Sequence, residues 1–266
     1  MNISTQKPKV VAIVQARMGS ARLSRKVLQD INGKPLLWHV MRRACAAKLV
    51  DEVILATAHN EENHPIADFA KQHGFQCYAG AEADLLDRFY QPCKQHKADI
   101  VVRITGDNPA VDPALIDRAV QYFIDHAADI DYVSTNRPHK LPHGLDVEVF
   151  SMALLETLWQ EVKGDFEREW FVTVIWAQPE RWRMGDMNLE SVPDLDRHRW
   201  TVDFPADLAL MRQIFAALDS PDRIFGYKDI LALFAQRPEL YDINESRHGA
   251  APAAGIEEAR NKAGAA

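Results

Sequence analysis

Short apolar runs alternate with helical patterns through the first half of the chain. Residues 10–14 (VVAIV), 52–57 (EVILAT), 75–78 (FQCY) and 100–105 (IVVRIT) read as strands, and three of the four are apolar almost throughout rather than at alternate positions. Between them lie helical stretches. One is opened by Pro35 and carries Leu36, Leu37, Val40 and Met41 on one side. A second covers 66–73 and is closed by Gly74, and a third covers about 83–96. Asp112 and Pro113 supply an N-cap and a first-turn proline for a fourth. Repeated strand–helix–strand units with continuously apolar strands predict an α/β fold, a mainly parallel sheet covered by helices on both faces. Ligands of such sheets bind beyond the carboxyl ends of the strands, so segments just after strands carry the most functional weight.

The second half is less regular. Leu145, Val147 and Val149 alternate with Asp146, Glu148 and Phe150, which places two acids on one strand face. Residues 167–178 (EREWFVTVIWAQ) read as a helix, and 181–187 and 198–203 (HRWTVD) as strands. Helices are expected from Pro205 to about 218 and over 227–235. From Asn244 onward alanine, glycine and charge dominate, so 244–266 reads as a weakly ordered tail. The expectation is one domain over 1–243, with a nucleotide-binding half at about 9–135 and a second half at about 136–243 for substrate and dimer contacts.

Composition narrows the function. A formal net charge of -7 argues against a nucleic-acid binder, although local basic clusters can still hold a small anion. Cys45, Cys77 and Cys93 form no C-x-x-C pair, which disfavours a zinc site and a disulfide framework and fits a reducing compartment. The first ten residues, MNISTQKPKV, lack a signal-peptide core, and no run has the length of a membrane span. A soluble cytoplasmic protein without membrane partners is expected.

The candidate chemistry starts after the first strand. Residues 15–26 (QARMGSARLSRK) gather Arg17, Arg22, Arg25 and Lys26 with Gly19 and Ser20. A polyphosphate needs such cations and close N–H donors. The segment is neither a Walker A motif nor a dinucleotide fingerprint, and by itself a solvated basic loop reads equally well. Thr105, Gly106 and Asp107 directly follow the fourth strand, where a carboxylate can share a hard cation with substrate phosphates; a turn-forming aspartate is the alternative. Asp203 repeats the pattern before a helix, and Asp207, one turn on, reads as a helix-surface acid.

At these residues the chain resembles the sugar-acid cytidylyltransferases. R-x-x-S-x-R-L-x-x-K near the N-terminus, LLDRFY, RITGDNP, GLDVEVFS, a degenerate ERExxxT and RWTVDxxxDL follow in consistent order over roughly 10–244, most like the spore-coat polysaccharide biosynthesis protein F-like branch. The resemblance implies a glycosyltransferase-A-like fold with a small β-containing arm, Mg²⁺ dependence, CTP and a sugar acid as small-molecule partners, and often a homodimer. It casts Arg17, Ser20, Arg22 and Lys26, with Gln15, Gly19, Thr105 and Gly106 beside them, as nucleotide contacts, and Asp107 and Asp203 as metal ligands. Asp87 and Arg88 match a signature bordering the nucleotide pocket; their alternative is a helix-surface ion pair. Asp146 and Glu148 would face the sugar or a metal-bound water, or else form the wet face of an edge strand. Arg168 is a candidate for the sugar carboxylate, with a surface salt bridge as its alternative, and so are Arg137 and His143 in the stretch 136–143, NRPHKLPH, which reads equally as a flexible polar loop. Two departures stand out: Ser24-Arg25 replaces the family's usual Pro-Gly, and Trp170 stands where relatives commonly have histidine. The expected reaction is CMP transfer from CTP with release of pyrophosphate. The rival readings are a glycosyltransferase using a nucleotide-sugar donor and a non-catalytic nucleotide-binding subunit.

Overall fold

The computed structural model describes residues 7–20 and 22–247. The first strand, β1 (Val10–Gln15), is apolar on both faces and buried from Val10 through Val14. A strand of this kind must be covered on both sides. A two-residue hairpin follows, β2 (Asp30–Ile31) and β3 (Lys34–Pro35), turned by Asn32 and Gly33 at positive φ. Helix α1 (Leu36–Ala44) leads to β4 (Glu52–Ala58), and α2 (His64–His73) to β5 (Gln76–Gly80). Next come α3 (Leu85–Gln95), β6 (Ile100–Thr105), α4 (Pro113–Asp125) and β7 (Tyr132–Ser134). The chain continues through β8 (Glu148–Ser151), α5 (Met152–Glu161), α6 (Asp165–Glu169), α7 (Phe171–Trp176) and β9 (Met184–Gly185). It closes with α8 (Pro205–Leu218) and α9 (Tyr227–Gln236).

Seven strands form one sheet in the order β5-β4-β1-β6-β8-β7-β9. β5, β4, β1 and β6 run parallel, β8 lies antiparallel to both neighbours, and β9 is parallel to β7. The expected mainly parallel α/β sheet is therefore observed, with a single reversed strand. On one face Val10, Ala12 and Val14 pack in a core with Leu36, Val40, Ile116, Met211 and Ile214. On the other, Val11 and Ile13 meet Leu86, Phe89, Leu155 and Phe171. Each such side chain contributes about 1.5–3 kcal/mol when fully buried.

The local signals operate as their chemistry dictates. Asp112 accepts from the Ala114 N–H at 2.8 Å and caps α4, and Gly74 ends α2 in the left-handed region at φ 72°. Pro35 precedes α1 rather than lying in its first turn. Several expectations are corrected. The helix read over 167–178 breaks at Trp170 (φ -117°, ψ 38°) into α6 and α7. The strand read over 181–187 shrinks to β9. Residues 198–203 form no strand; after a 3₁₀ turn at Leu195–Arg197 they make a single bridge, Arg199 to His143. The tail does not begin at 244, since Pro238–Arg247 is helical and Asn244 is buried; 248–266 lie outside the described residues. Among the described residues no helix is long and apolar enough to cross a membrane.

Candidate functional site

Three chain segments converge at the carboxyl ends of β1 and β6. Register pairs Gln15 with Thr105, so the basic loop and the Asp107 turn leave the sheet side by side. The Gly106 N–H donates to the Gln15 carbonyl at 2.8 Å, and a Cβ on Gly106 would stand only 2.8 Å from that oxygen. Glycine is thus required by close backbone approach. The third segment is tied in by Val202, whose N–H donates to the Asp107 carbonyl at 2.9 Å. Behind it, the Trp200 N–H donates to the His143 carbonyl at 2.7 Å, and Gly144 passes beneath at φ +114°. A Cβ there would lie 2.4 Å from the Trp200 carbonyl carbon.

These ties bring together the two aspartates that the sequence singles out. Lys26 Nζ bridges them, 2.7 Å from Asp107 Oδ2 and 3.0 Å from Asp203 Oδ1. Burial alone pulls the Lys26 pKa down, but the charges and hydrogen bonds of Asp107 and Asp203 outweigh it and raise it. Burial pushes Asp107 up, and the Lys26 charge and hydrogen bond, with one from Thr105, more than reverse that. Asp203 carries two more cations: Arg22 at 2.6 Å on Oδ1 and Arg199 at 2.6 Å on Oδ2. Asp207 is not a helix-surface acid. It is 1% exposed, accepts from the N–H groups of Asp203 and Phe204, and receives Asn244 Nδ2 at 2.9 Å. Its role is to fix the backbone on which Asp203 stands.

Among the described residues no group of three or more His, Cys, Asp or Glu can hold a metal. A pair of carboxylates is nonetheless the donor set Mg²⁺ takes when substrate phosphates complete its shell. The Lys26 ammonium between them shows that the pair accommodates a cation. The residues therefore fit Mg²⁺.

The rest of the basic loop faces a second group. Arg17 pairs with Glu169 at 3.0 Å, and buried Arg88 lies 3.7 Å from the same carboxylate. Burial raises the Glu169 pKa against the pull of both arginines. Arg17, Gly19, Ala58, Glu62, Asn63, Glu82 and Arg88 line a cleft of about 90 Å³. Asn63 shapes its rim by accepting the Met18 N–H at 2.8 Å, and Ser20 Oγ accepts the Leu23 N–H at 3.4 Å. Arg25, in place of a glycine, sits in the left-handed region at φ 52°.

Two expected residues point elsewhere. Asp87 accepts from Gln91 and from the Trp159 indole at 2.8 Å, which joins α3 to α5, and it does not line the cleft. Arg168 pairs with Asp84 at 2.8 Å and donates to the Trp159 and Val162 carbonyls. Its guanidinium serves packing.

On the other flank, Asp146 receives the Gly144 N–H at 2.8 Å and Asn136 Nδ2 at 2.6 Å, with His143 Nδ1 3.5 Å away. Glu148 is corrected: β8 is an inner strand, and Glu148 is 4% exposed, bound by Arg103 and the Tyr132 hydroxyl. It is not the wet face of an edge strand. Arg137 is exposed, stacked 3.9 Å from the centroid of Trp176.

Sequence reasoning passed over Arg199, Glu169, Asn63, Arg103 and Tyr132 as site members. Arg199 was legible in the RWTVD motif, four residues before Asp203. Arg103 and Glu169 lie within RITGDNP and ERExxxT, whereas Asn63 and Tyr132 join only through tertiary packing.

Comparison with known proteins identifies the family. A family model described as Cytidylyltransferase matches residues 11–175. An uncharacterized protein of Methanocaldococcus jannaschii is 32% identical over 238 residues, 90% of this chain and 95% of that protein. The spore coat polysaccharide biosynthesis protein SpsF of Bacillus subtilis is 28% identical over 86% of this chain and 95% of its own length. A 3-deoxy-manno-octulosonate cytidylyltransferase of Trichlorobacter lovleyi is 36% identical over 43% of this chain and 45% of its own. Among solved structures, a cytidylyltransferase from Leptospira borgpetersenii superposes with a TM-score of 0.80 at 26% identity, covering 88% of this chain and 97% of that one. CMP:2-keto-3-deoxy-manno-octonic acid synthetase complexed with CTP shares the fold, at a TM-score of 0.60 and 20% identity over 79% of this chain and 99% of its own. With the family model spanning more than half of its length and a relative aligned along nearly all of it, this chain belongs to the cytidylyltransferase family.

Proposed function

We propose that the chain transfers CMP from CTP to a sugar acid and releases pyrophosphate, with Mg²⁺ held by Asp107 and Asp203. The observation that carries this reading is Lys26 lodged between those two carboxylates at the mouth of a cationic loop. Names of relatives add the substrate class: one is a 3-deoxy-manno-octulosonate cytidylyltransferase and another acts in spore coat polysaccharide biosynthesis. In the reaction, the anomeric hydroxyl oxygen of the sugar acid forms a bond to the α-phosphorus as the bond to the β-phosphate bridging oxygen breaks. The hydroxyl proton passes to solvent water, and pyrophosphate carries off the bonding pair. Mg²⁺ would offset the charge gathering on the phosphates. Lys26, Arg22 and Arg17 hold the leaving pyrophosphate by charge-assisted hydrogen bonds. Arg137, exposed on the far flank, receives the sugar carboxylate.

The test is pyrophosphate release from CTP across a panel of sugar acids. Asp107→Asn should lower turnover by roughly 100- to 1000-fold with the circular dichroism spectrum unchanged. Full turnover by that variant, or release of a nucleoside diphosphate from a nucleotide-sugar donor instead, defeats the assignment.

A further inference from the structure

One line of contacts crosses the sheet away from the Lys26, Asp107 and Asp203 cluster. At the end of β1, Gln15 Oε1 accepts from Arg103 Nε at 3.0 Å. Arg103, on neighbouring β6, donates through its other arm to Glu148 on β8, its register partner. Glu148 accepts the Tyr132 hydroxyl from β7, and that hydroxyl in turn accepts Trp176 Nε1 at 3.0 Å from α7. On the indole face of Trp176 rests the guanidinium of Arg137, 3.9 Å from the ring centroid. Four strands and a helix are thus threaded by a single polar rail.

Its buried members are costly to retain unless each is satisfied. Tyr132 is 1% exposed; burial, and then the Glu148 charge, push its phenol well above the ordinary range, so it stays a donor. The hydroxyl therefore offers its lone pairs to Trp176 and fixes the angle of the indole. An arginine without such a platform samples many rotamers, and ordering it on binding costs affinity. Among the described residues Arg137 makes no ion pair with a carboxylate, so its charge is available to an incoming anion.

We infer that Trp176 and Tyr132 are positioning residues for substrate: the tethered indole holds Arg137 in place to receive the carboxylate of the sugar acid. This rests on the sugar-acid reading above. Trp176 is bonded to Tyr132 and carries Arg137 on its face, and neither is a phosphate contact, so its influence belongs to the sugar and not to CTP.

The experiment is steady-state pyrophosphate release with 3-deoxy-manno-octulosonate as probe within the sugar-acid panel, each substrate varied in turn. Trp176→Leu removes platform and tether and should raise KM for the sugar acid about threefold to fivefold, with kcat and the KM for CTP unchanged. Trp176→Phe keeps a ring but loses the N–H, and Tyr132→Phe loses the anchor; each should raise the same KM about twofold. In an Arg137→Ala background, Trp176→Leu should add nothing. A sugar-acid KM untouched by Trp176→Leu, an equal rise in the KM for CTP, or additivity with Arg137→Ala overturns the inference while leaving the sugar-acid reading intact. No turnover by the unaltered chain with any sugar acid overturns that reading first and the inference with it.

Discussion

Two single positions show how narrowly the site backbone is specified. Gly144 lies at φ +114° with its missing Cβ 2.4 Å from the Trp200 carbonyl carbon and 2.6 Å from the Thr201 nitrogen. Both obstacles are backbone, so neither can swing aside. Gly144→Ala should destabilise the chain by roughly 2–4 kcal/mol, read as a lower urea midpoint at constant m-value. Arg25 presents the opposite case: a side chain occupies a left-handed position, φ 52°, that glycine adopts without strain. Arg25→Gly should leave stability level or raise it by up to about 1 kcal/mol, whereas Arg25→Ala, which keeps the Cβ, should not gain. A denaturation midpoint that falls for Gly but not for Ala contradicts this. The charged loop, Asp107 and Asp203 were legible in the sequence because their residue types follow from phosphate chemistry. Arg88, Glu169 and Arg103 were not legible in their observed roles, since a charge buried against a partner 45 or more positions away has no local signature.

At the scale of elements, the first half of the fold was readable, and of the second half the two closing helices, α8 and α9, were readable while its short strands were not. β1, β4 and β6 are strands covered on both faces, so continuous apolar runs mark them. The remaining strands are short. β7 has three residues and β9 two, too few for either period to show. Besides its parallel pairing with β7, β9 is anchored by bonds from Arg183 to Asp131, the residue before β7. The Arg183 N–H donates to Asp131 Oδ2 at 3.0 Å, and the Arg183 guanidinium pairs with the same carboxylate at 3.0 Å. Those hydrogen bonds from Arg183 depress the Asp131 pKa below its ordinary 3.8. A depressed acid contributes stability that is complete above the unfolded value and is lost as pH falls through the folded one. Asp131→Asn should therefore flatten the drop in melting temperature between about pH 4 and pH 2 relative to the unaltered chain. An identical acid slope in both proteins refutes the role given to Asp131.

For the whole molecule, the sheet sets the positions and the loops supply the charge. β1 and β6 end level, and loops from three distant parts of the chain meet there: residues 15–26, the Asp107 turn, and 198–203. The segment 198–203 reads as a strand because apolar and polar residues alternate in HRWTVD, whereas its backbone groups bond to His143, Asp107, Asp207 and Asn244 rather than to a ladder. One consequence concerns the order in which ligands arrive. Asp203 is paired with Lys26, Arg22 and Arg199, so a bare divalent ion competes with three cations for that carboxylate. In the proposed reaction a triphosphate would draw Lys26 and Arg22 away, and the carboxylates they relinquish would become free for metal. Nucleotide and metal are then thermodynamically coupled, each raising the affinity of the other by the same factor. Titrating Mn²⁺ by paramagnetic resonance, with the metal held by CTP alone subtracted, should show binding tighter by roughly tenfold or more once CTP is present. Equal affinity with and without CTP would mean that Lys26 and Arg22 never leave. The ion pairs of Lys26, Arg22 and Arg199 with the two aspartates would thus act as a lock that the anionic substrate opens.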